Sequence, residues 1–189
     1  MNVDKIVDIV NNNPVIAAVS GMDDAQKAIE SPCEVVFLLS ATIMNMKSVV
    51  ELVHSAGKLV FIHVDLMKGL ACDQEGLAYI KAYIKPDGII STKAYVMKKA
   101  KELGFVTVQR LFVLDSKSID MGTKQLKDIK PDFVEIMPGA LVKTIERFSS
   151  RVNTSVIAGG LIDEESEVMS VLKAGAVSVS TSNKDLWFL

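Results

Sequence analysis

Eight short apolar segments recur along the chain, and a segment of helical character separates each one from the next. The eight segments are rich in Val and Ile and cover residues 15–19, 35–39, 59–64, 88–91, 106–113, 133–137, 155–158 and 176–180. Apolar runs that do not alternate strictly with polar residues are typical of parallel strands buried on both faces. Between two of the runs, Met46, Val49, Val50 and Val53 recur at helical spacing, which predicts an amphipathic helix over 44–54.

The regular order of strand and helix predicts parallel strands joined by right-handed crossovers. Gly57, Gly104 and Gly175 each stand between a helix and the next strand, where a left-handed helix end favours glycine. Eight strands favour a closed barrel over an open doubly wound sheet. At 189 residues the chain is shorter than the roughly 250 residues usual for this fold. We therefore predict a compact α/β protein, a single (β/α)8 TIM-type barrel domain over 1–189, with a short N-terminal helix in 1–12 closing the barrel floor and the barrel in 15–189.

Charge, cysteine content and hydropathy limit the classes of function. Lys and Arg total 21 against 23 Asp and Glu, so the net charge is -2 and any nucleic-acid binding depends on a local basic patch. The first residues lack the features of a signal peptide, and no apolar run approaches the roughly 20 residues of a membrane helix. We expect a cytoplasmic protein that makes no contact with membranes. Cys33 and Cys72 lie far apart without the spacing of a zinc site, so we expect no metal and no disulfide framework.

Glycine and hydroxyl residues follow the last two predicted strands. Gly159 and Gly160 come after the seventh strand, and the eighth strand leads into Ser180, Thr181, Ser182 and Asn183. Paired glycines let backbone N–H groups approach an anion, and a helical turn expected in 184–189 adds further donors. Barrels of this type commonly bind phosphate between strands 7 and 8, so the sequence predicts a phosphate site here. Each half also has a purely structural explanation, as a tight turn and as a helix cap.

Other polar residues mark the expected barrel mouth, where ligands of this fold bind. They are Asp65, Lys93, Arg110, Glu135 and Gly139, which lie at or near the ends of strands 3 to 6. Lys93 and Arg110 could pair with Asp65 and Glu135 in one network. His63 would share a strand face with Asp65, and we interpret it as a hydrogen-bonded core residue. Asp65 could bind a hydroxylated ligand, act as a general base, or cap the next helix.

Lys93 leaves an enzymatic function open, because Schiff-base aldolases present a lysine at the end of a barrel strand. The alternative function is therefore an aldolase or isomerase acting on a small phosphorylated substrate through Lys93, Asp65 or Glu135.

Several blocks together resemble one known family, the glycerol-3-phosphate-responsive antiterminators, which regulate bacterial glycerol uptake operons. The blocks are residues 15–19 and 33–39, 57–66 with FIHVDL, 87–93 with IISTK, 108–116 (VQRLFVLDS), 134–139 (VEIMPG), 157–162 (IAGGLI) and 179–184 (VSTSNK). The resemblance extends over essentially the whole chain in the same order.

The resemblance implies a non-catalytic RNA-binding regulator. With its effector glycerol 3-phosphate bound, such a protein acts on the leader mRNA of glycerol uptake or utilisation genes and prevents a terminator hairpin from ending transcription. No other cofactor is implied. The phosphate would lie on Gly159, Gly160, Thr181 and Ser182, with Asp65, Lys93, Arg110 and Glu135 near the glycerol or holding the mouth together. A barrel that has lost RNA binding and acts through a protein partner stays open as a third function.

RNA binding by an acidic protein requires a concentrated basic surface. The candidates are Lys93, Lys98, Lys99 and Lys101 on the helix after strand 4 and Lys124, Lys127 and Lys130 on the helix after strand 5. These helices are neighbours in a barrel, so one patch could form from Lys98, Lys99, Lys101, Lys124 and Lys127, although Lys-rich helix faces often serve only solvation. Tyr95 lies beside the patch and could stack on a base. The sequence does not define an oligomeric state, and a homodimer stays open.

Overall fold

The computed structural model describes residues 2–189, which form eight parallel strands with helices between them. The strands are β1 (Val15–Ser20), β2 (Val35–Ser40), β3 (Leu59–His63), β4 (Gly88–Ser91), β5 (Val106–Phe112), β6 (Phe133–Met137), β7 (Ser155–Gly159) and β8 (Ser178–Thr181). The helices are α1 (Val3–Asn12), α2 (Met22–Glu30), α3 (Met46–Ser55), α4 (Gln74–Tyr79, continued as a π-helix over Ile80–Ile84), α5 (Ala94–Glu102), α6 (Ser116–Ile129), α7 (Val142–Ser149) and α8 (Glu165–Lys173). Short 3₁₀ turns cover Val64–Leu66 and Asp185–Phe188.

The strands pair in sequence order, and β8 pairs with β1 to close the barrel. The predicted (β/α)8 fold is therefore confirmed. β8 begins two residues later than predicted, since Ala176 and Val177 still belong to the connection from α8. The last helix of the ideal fold is reduced to the turn at Asp185–Phe188, whose Trp187 is buried and donates from Nε1 to the Thr181 carbonyl at 2.8 Å.

Two apolar cores result from the alternation of side chains along each strand. The inner core fills the barrel, where the rings of Phe37 and Phe61 meet at 5.6 Å between centroids and Phe133 lies in the same cluster. Ile6 and Val10 of α1 belong to this inner core, so α1 closes the end of the barrel at which the strands begin. The outer core lies between the strands and helices α2 to α8.

The inner face of the barrel changes from apolar to polar along the strands. Val106 and Val108 of β5 lie in the inner core, and Arg110 is the next residue on the same face. In the same way Phe133 of β6 is followed on that face by Glu135. The barrel therefore has an apolar floor and a charged layer at its mouth. Among residues 2–189, none of the helices has the length and apolar character needed to cross a membrane.

Candidate functional site

A buried ion pair forms the centre of the barrel mouth. The Arg110 Nε donates to the Glu135 Oε2 at 2.6 Å, and the Ser180 hydroxyl donates to Oε1 of the same carboxylate at 2.5 Å. Glu135 is 0% exposed and Arg110 is 6% exposed. A buried carboxylate is costly unless it is paired and hydrogen-bonded, and here both of its oxygens have a donor.

The strand register produces this arrangement. Arg110 and Glu135 are register partners across β5 and β6, and Gly159 and Ser180 are partners across β7 and β8. A Cβ at Gly159 would lie 2.5 Å from the Glu135 Oε1 and 2.7 Å from the Ser180 Oγ. Glycine is therefore required at 159 because the carboxylate and the hydroxyl occupy that space.

His63 lies beneath the mouth at the end of β3 and is 2% exposed. Burial and the Arg110 guanidinium lower the pKa of His63 to about 4, although the carboxylates of Asp65 and Glu135 act in the opposite direction. The imidazole is therefore neutral at pH 7. We expected a hydrogen-bonded core histidine, and the structure buries the ring but gives its Nδ1 no partner within residues 2–189.

A cavity of about 140 Å³ opens above the ion pair; we call it the mouth cavity. Its walls come from β1, β2, β5, β6 and β8 and from the loops after β7 and β8: Ala18, Leu39, Arg110, Glu135, Met137, Gly160, Leu161, Ile162, Asp163, Ser180, Thr181 and Ser182. Sites that bury drug-sized ligands measure roughly 300–1,000 Å³, so this cavity suits a small metabolite.

The loops after β7 and β8 are tied together by their own side chains. The Thr181 hydroxyl donates to the Ile162 carbonyl at 3.0 Å, and the Asn183 Nδ2 donates to the Asp163 carbonyl at 2.9 Å. Thr181 and Asn183 thus use their side chains to hold the cavity wall. Ser182 is exposed at the rim.

Gly160 and Leu161 form the turn after β7 in left-handed backbone conformations, with φ of 77° and 58°. Glycine adopts this conformation without steric cost, whereas leucine does so rarely. The turn exposes Leu161, 71% accessible, at the edge of the mouth cavity.

Asp65 and Lys93 form a second cluster on the other side of the mouth. The Asp65 Oδ2 accepts from the Thr92 N–H at 2.7 Å, its Oδ1 accepts from the Ser91 hydroxyl at 2.8 Å, and the Lys93 Nζ lies 3.7 Å from Oδ1. Burial acts to raise the pKa of Asp65, but the hydrogen bonds from Thr92 and Ser91 outweigh it and hold the pKa below its usual value.

The expectation that His63 and Asp65 share a strand face is wrong. β3 ends at His63, and Asp65 lies in the 3₁₀ turn Val64–Leu66. The hydrogen bonds from Ser91 and Thr92 hold its carboxylate against the end of β4.

The predicted site residues therefore divide into three groups. Arg110, Glu135, Gly160, Ser180, Thr181 and Ser182 line the mouth cavity, with Gly159 packed against Glu135. Asp65 and Lys93 pair with each other outside that cavity, so the predicted network consists of two separate ion pairs. Gly139 joins loops, because its N–H donates to the carbonyl of Gly159 at 2.6 Å and a Cβ there would lie 2.6 Å from the Gly159 nitrogen. Asn183 belongs to this third group, because it does not line the mouth cavity but donates to the Asp163 carbonyl in the cavity wall.

Sequence reasoning missed Met137 and Asp163 as cavity residues. Met137 is the last residue of the strand predicted over 133–137, and Asp163 directly follows the block 157–162. Their position at or just after a strand end was therefore the available signal. Met137 ends β6, and Asp163 lies four residues beyond β7.

The predicted lysine patch lies on two helices that pack together, α5 and α6. Lys98, Lys101, Lys124 and Lys127 are exposed. Lys99 is half-buried, and its Nζ lies 2.8 Å from a Glu102 carboxylate oxygen, which offsets its charge. Tyr95 is 56% exposed and donates its hydroxyl to the Cys72 carbonyl.

The family model described as glycerol-3-phosphate responsive antiterminator matches residues 15–187. An uncharacterised protein of Escherichia coli strain K12, YgcP, is 36% identical over 184 residues, which are 97% of this chain and 96% of that protein.

Two solved structures share both sequence and fold with this chain. A glycerol uptake operon antiterminator regulatory protein from Listeria monocytogenes has 34% identity and a TM-score of 0.88, covering 93% of this chain and 95% of its own. A glycerol uptake operon antiterminator-related protein from Thermotoga maritima has 34% identity and a TM-score of 0.83, covering 93% of this chain and 98% of its own.

Proposed function

The chain belongs to the glycerol-3-phosphate responsive antiterminator family, and from this premise we propose that it is a metabolite-controlled RNA-binding regulator. Glycerol 3-phosphate binds in the mouth cavity, and the liganded protein binds the leader mRNA of glycerol uptake or utilisation genes and prevents premature termination of transcription. We place the protein in the cytoplasm, where it would encounter both glycerol 3-phosphate and leader mRNA.

The state of Arg110 is the observation that carries the metabolite part of this proposal. Its Nε is held by Glu135, and its terminal amino groups make no hydrogen bond within residues 2–189 although the residue lines the mouth cavity. A guanidinium fixed in this way offers its remaining N–H groups to a phosphate. Gly160 and Ser182 border the same cavity, one with accessible backbone and the other with an exposed hydroxyl.

The opposite requirement, acceptors for hydroxyl groups, is met in the same space. Asp163 is exposed and lines the mouth cavity, and its carboxylate can accept hydrogen bonds from hydroxyl groups. Donors for a phosphate beside acceptors for hydroxyls match a small polyol phosphate such as glycerol 3-phosphate.

The arrangement disfavours the aldolase alternative. A lysine that forms a Schiff base is activated by desolvation or by a cationic neighbour. The side chain of Lys93 is 46% exposed, lies beside the carboxylate of Asp65 and does not line the mouth cavity. Borohydride treatment with dihydroxyacetone phosphate should therefore leave no adduct on Lys93, and a trapped adduct detected by mass spectrometry would revive the enzymatic function.

Calorimetric titration with glycerol 3-phosphate tests the ligand site with a matched pair of variants. Gly160 and Gly57 have φ of 77° and 75°, so Gly160→Ala and Gly57→Ala carry the same backbone cost, about 1–2 kcal/mol. A Cβ at Gly57 meets nothing within 4 Å, whereas a Cβ at Gly160 lies 2.7 Å from the Met137 Cε beside the cavity. We expect Gly160→Ala to weaken binding at least tenfold and Gly57→Ala to leave it unchanged. Equal affinity in both variants would remove the ligand from this loop.

A gel-shift titration of leader RNA with the purified protein tests the regulatory part. At fixed salt, we expect a shift that strengthens when glycerol 3-phosphate is added. A protein that binds the metabolite but no leader RNA would contradict the RNA-binding function and favour action through a protein partner.

A further inference from the structure

A second cavity lies at the opposite end of the barrel from the mouth. It measures about 400 Å³ and lies between the connection from α6 to β6 and the connection from α7 to β7. Lys130 and Pro131 lie between α6 and β6, and Thr154 immediately precedes β7. We call this cavity the basal groove.

Within residues 2–189, three cationic side chains and no carboxylate line the basal groove. They are Lys127 at the end of α6, Lys130 just after it and Arg151 after α7, all exposed. A fourth cation adjoins it, because the Lys101 Nζ of α5 donates to the Lys130 carbonyl. One counter-charge lies beside the groove on Asp120, whose Oδ1 is 3.0 Å from the Arg151 Nη1, although Asp120 does not line the cavity. That exposed pair engages one of the guanidinium nitrogens and leaves the others free to bind elsewhere.

The rest of the lining suits a polymer in which charged phosphates alternate with less polar sugars. Leu126, Pro131 and Val152 provide apolar surface, and Asn153 and Thr154 provide hydrogen-bonding groups. The volume lies within the roughly 300–1,000 Å³ of sites that take drug-sized ligands, which is the size class of a nucleotide. Phosphates against the cations and a sugar against the apolar floor would satisfy every part of this surface.

Local charge matters here because the whole protein carries a net charge of -2. Its global field does not attract a polyanion, so the free energy of RNA binding must come from a concentrated set of cations. The basal groove provides such a set in a concave surface.

We propose that the basal groove binds the phosphodiester backbone of RNA, with Lys127, Lys130 and Arg151 contacting phosphates. This inference rests on the proposed function and assigns its RNA binding to a particular surface. It shares Lys101 and Lys127 with the lysine patch expected from the sequence, but it adds Lys130 and Arg151 and leaves out Lys98, Lys99 and Lys124.

Two double variants with the same charge change separate these surfaces. Lys127→Gln/Arg151→Gln removes two cations from the basal groove, and Lys98→Gln/Lys99→Gln removes two from α5. The match is close because each pair includes one member of an exposed ion pair, Arg151 with Asp120 and Lys99 with Glu102. The residues removed from the groove are exposed, so the fold is retained.

The measurement is the dissociation constant of leader RNA at several salt concentrations with glycerol 3-phosphate saturating. Each lost phosphate contact lowers the salt dependence by about 0.7 for a single strand. Two lost contacts should therefore weaken binding about 10- to 30-fold near 0.1 M salt and reduce the slope by about 1.4. We expect these changes for the groove variant and a less than threefold change for the α5 variant. Both should bind glycerol 3-phosphate with wild-type affinity, because the mouth is at the other end of the barrel.

Three results would overturn the inference, and they differ from failure of the proposed function. Loss of RNA binding in the α5 variant alone would place the RNA on α5. Equal loss in both variants would indicate a response to net charge without a defined groove. Unchanged binding in the groove variant would leave the cavity without a role in RNA binding. If the wild-type protein binds glycerol 3-phosphate but no RNA at any salt concentration, the proposed function itself fails.

Discussion

Replacing Arg110 by methionine should destabilise the protein strongly, because it leaves the Glu135 carboxylate buried without its counter-charge. Glu135 is 0% exposed and would retain only the hydrogen bond from the Ser180 hydroxyl. Removing one partner of a buried ion pair costs about 3–5 kcal/mol. For a domain of this size, that corresponds to a fall of about 6–20 °C in the melting temperature.

The assay is urea unfolding followed by circular dichroism at pH 8, for the wild type, Arg110→Met and Arg110→Met/Glu135→Gln. The double variant removes the buried charge but keeps an amide oxygen as acceptor for Ser180, so it should recover most of the lost free energy of unfolding. The penalty in Arg110→Met should also shrink at lower pH, by up to about 1.4 kcal/mol per pH unit, because a carboxylic acid is buried more cheaply than a carboxylate.

Two results would refute this reasoning. The first is an Arg110→Met variant whose free energy of unfolding at pH 8 lies within 1 kcal/mol of the wild type, a limit below the ~3 kcal/mol minimum expected. The second is a double variant no more stable than the single one. Either result would mean that the carboxylate is reached by water or has another partner, and that Arg110 is free to move when ligand binds.

Two further predictions concern residues around the mouth. Burial and Arg110 lower the pKa of His63 to about 4, so the unfolded chain binds the proton more readily and the wild type should lose up to about 3 kcal/mol of stability as the pH falls from 6.5 to 4. Urea unfolding at pH 7 and pH 4.5 should show a smaller loss of stability for His63→Gln than for the wild type. An identical loss would mean that His63 is not the group responsible. Asp65→Ala removes the acceptor of Ser91 and Thr92, so thermal unfolding should show a loss of stability of about 1–3 kcal/mol. The affinity for glycerol 3-phosphate should stay within threefold of the wild-type value, and a large loss of affinity would place Asp65 in the ligand site.

The barrel could be predicted from the sequence because its determinants are local and repeated. Each Val- and Ile-rich run specifies a strand by itself, and Gly57, Gly104 and Gly175 mark three of the points at which a helix gives way to a strand; all three have positive φ. Eight repetitions of the same strand–helix unit are then compatible with few topologies, of which the closed barrel is one. Errors fell at strand ends, where tertiary contacts decide, as with Asp65 and the late start of β8.

The site was less predictable because its geometry depends on pairing between distant segments. Arg110 and Glu135 could be recognised as mouth residues, but their pairing with each other rather than with Asp65 and Lys93 follows from the register of β5 on β6. The basal groove could not be found at all from local pattern. Its walls come from two connections that are each unremarkable in sequence, and Arg151 joins Lys127 only because β6 and β7 are neighbours.

The two proposed anion sites differ in how they would overcome the net negative charge of the protein. At the mouth, Glu135 neutralises Arg110, so a phosphate there depends on hydrogen bonds of fixed geometry from a largely buried guanidinium. Buried interactions are screened little by salt. The basal groove instead presents exposed cations, and their attraction is screened over about 8–10 Å at physiological ionic strength. Salt should therefore weaken the binding of RNA far more than the binding of glycerol 3-phosphate, so the mouth can report the metabolite concentration under conditions that change the affinity for RNA.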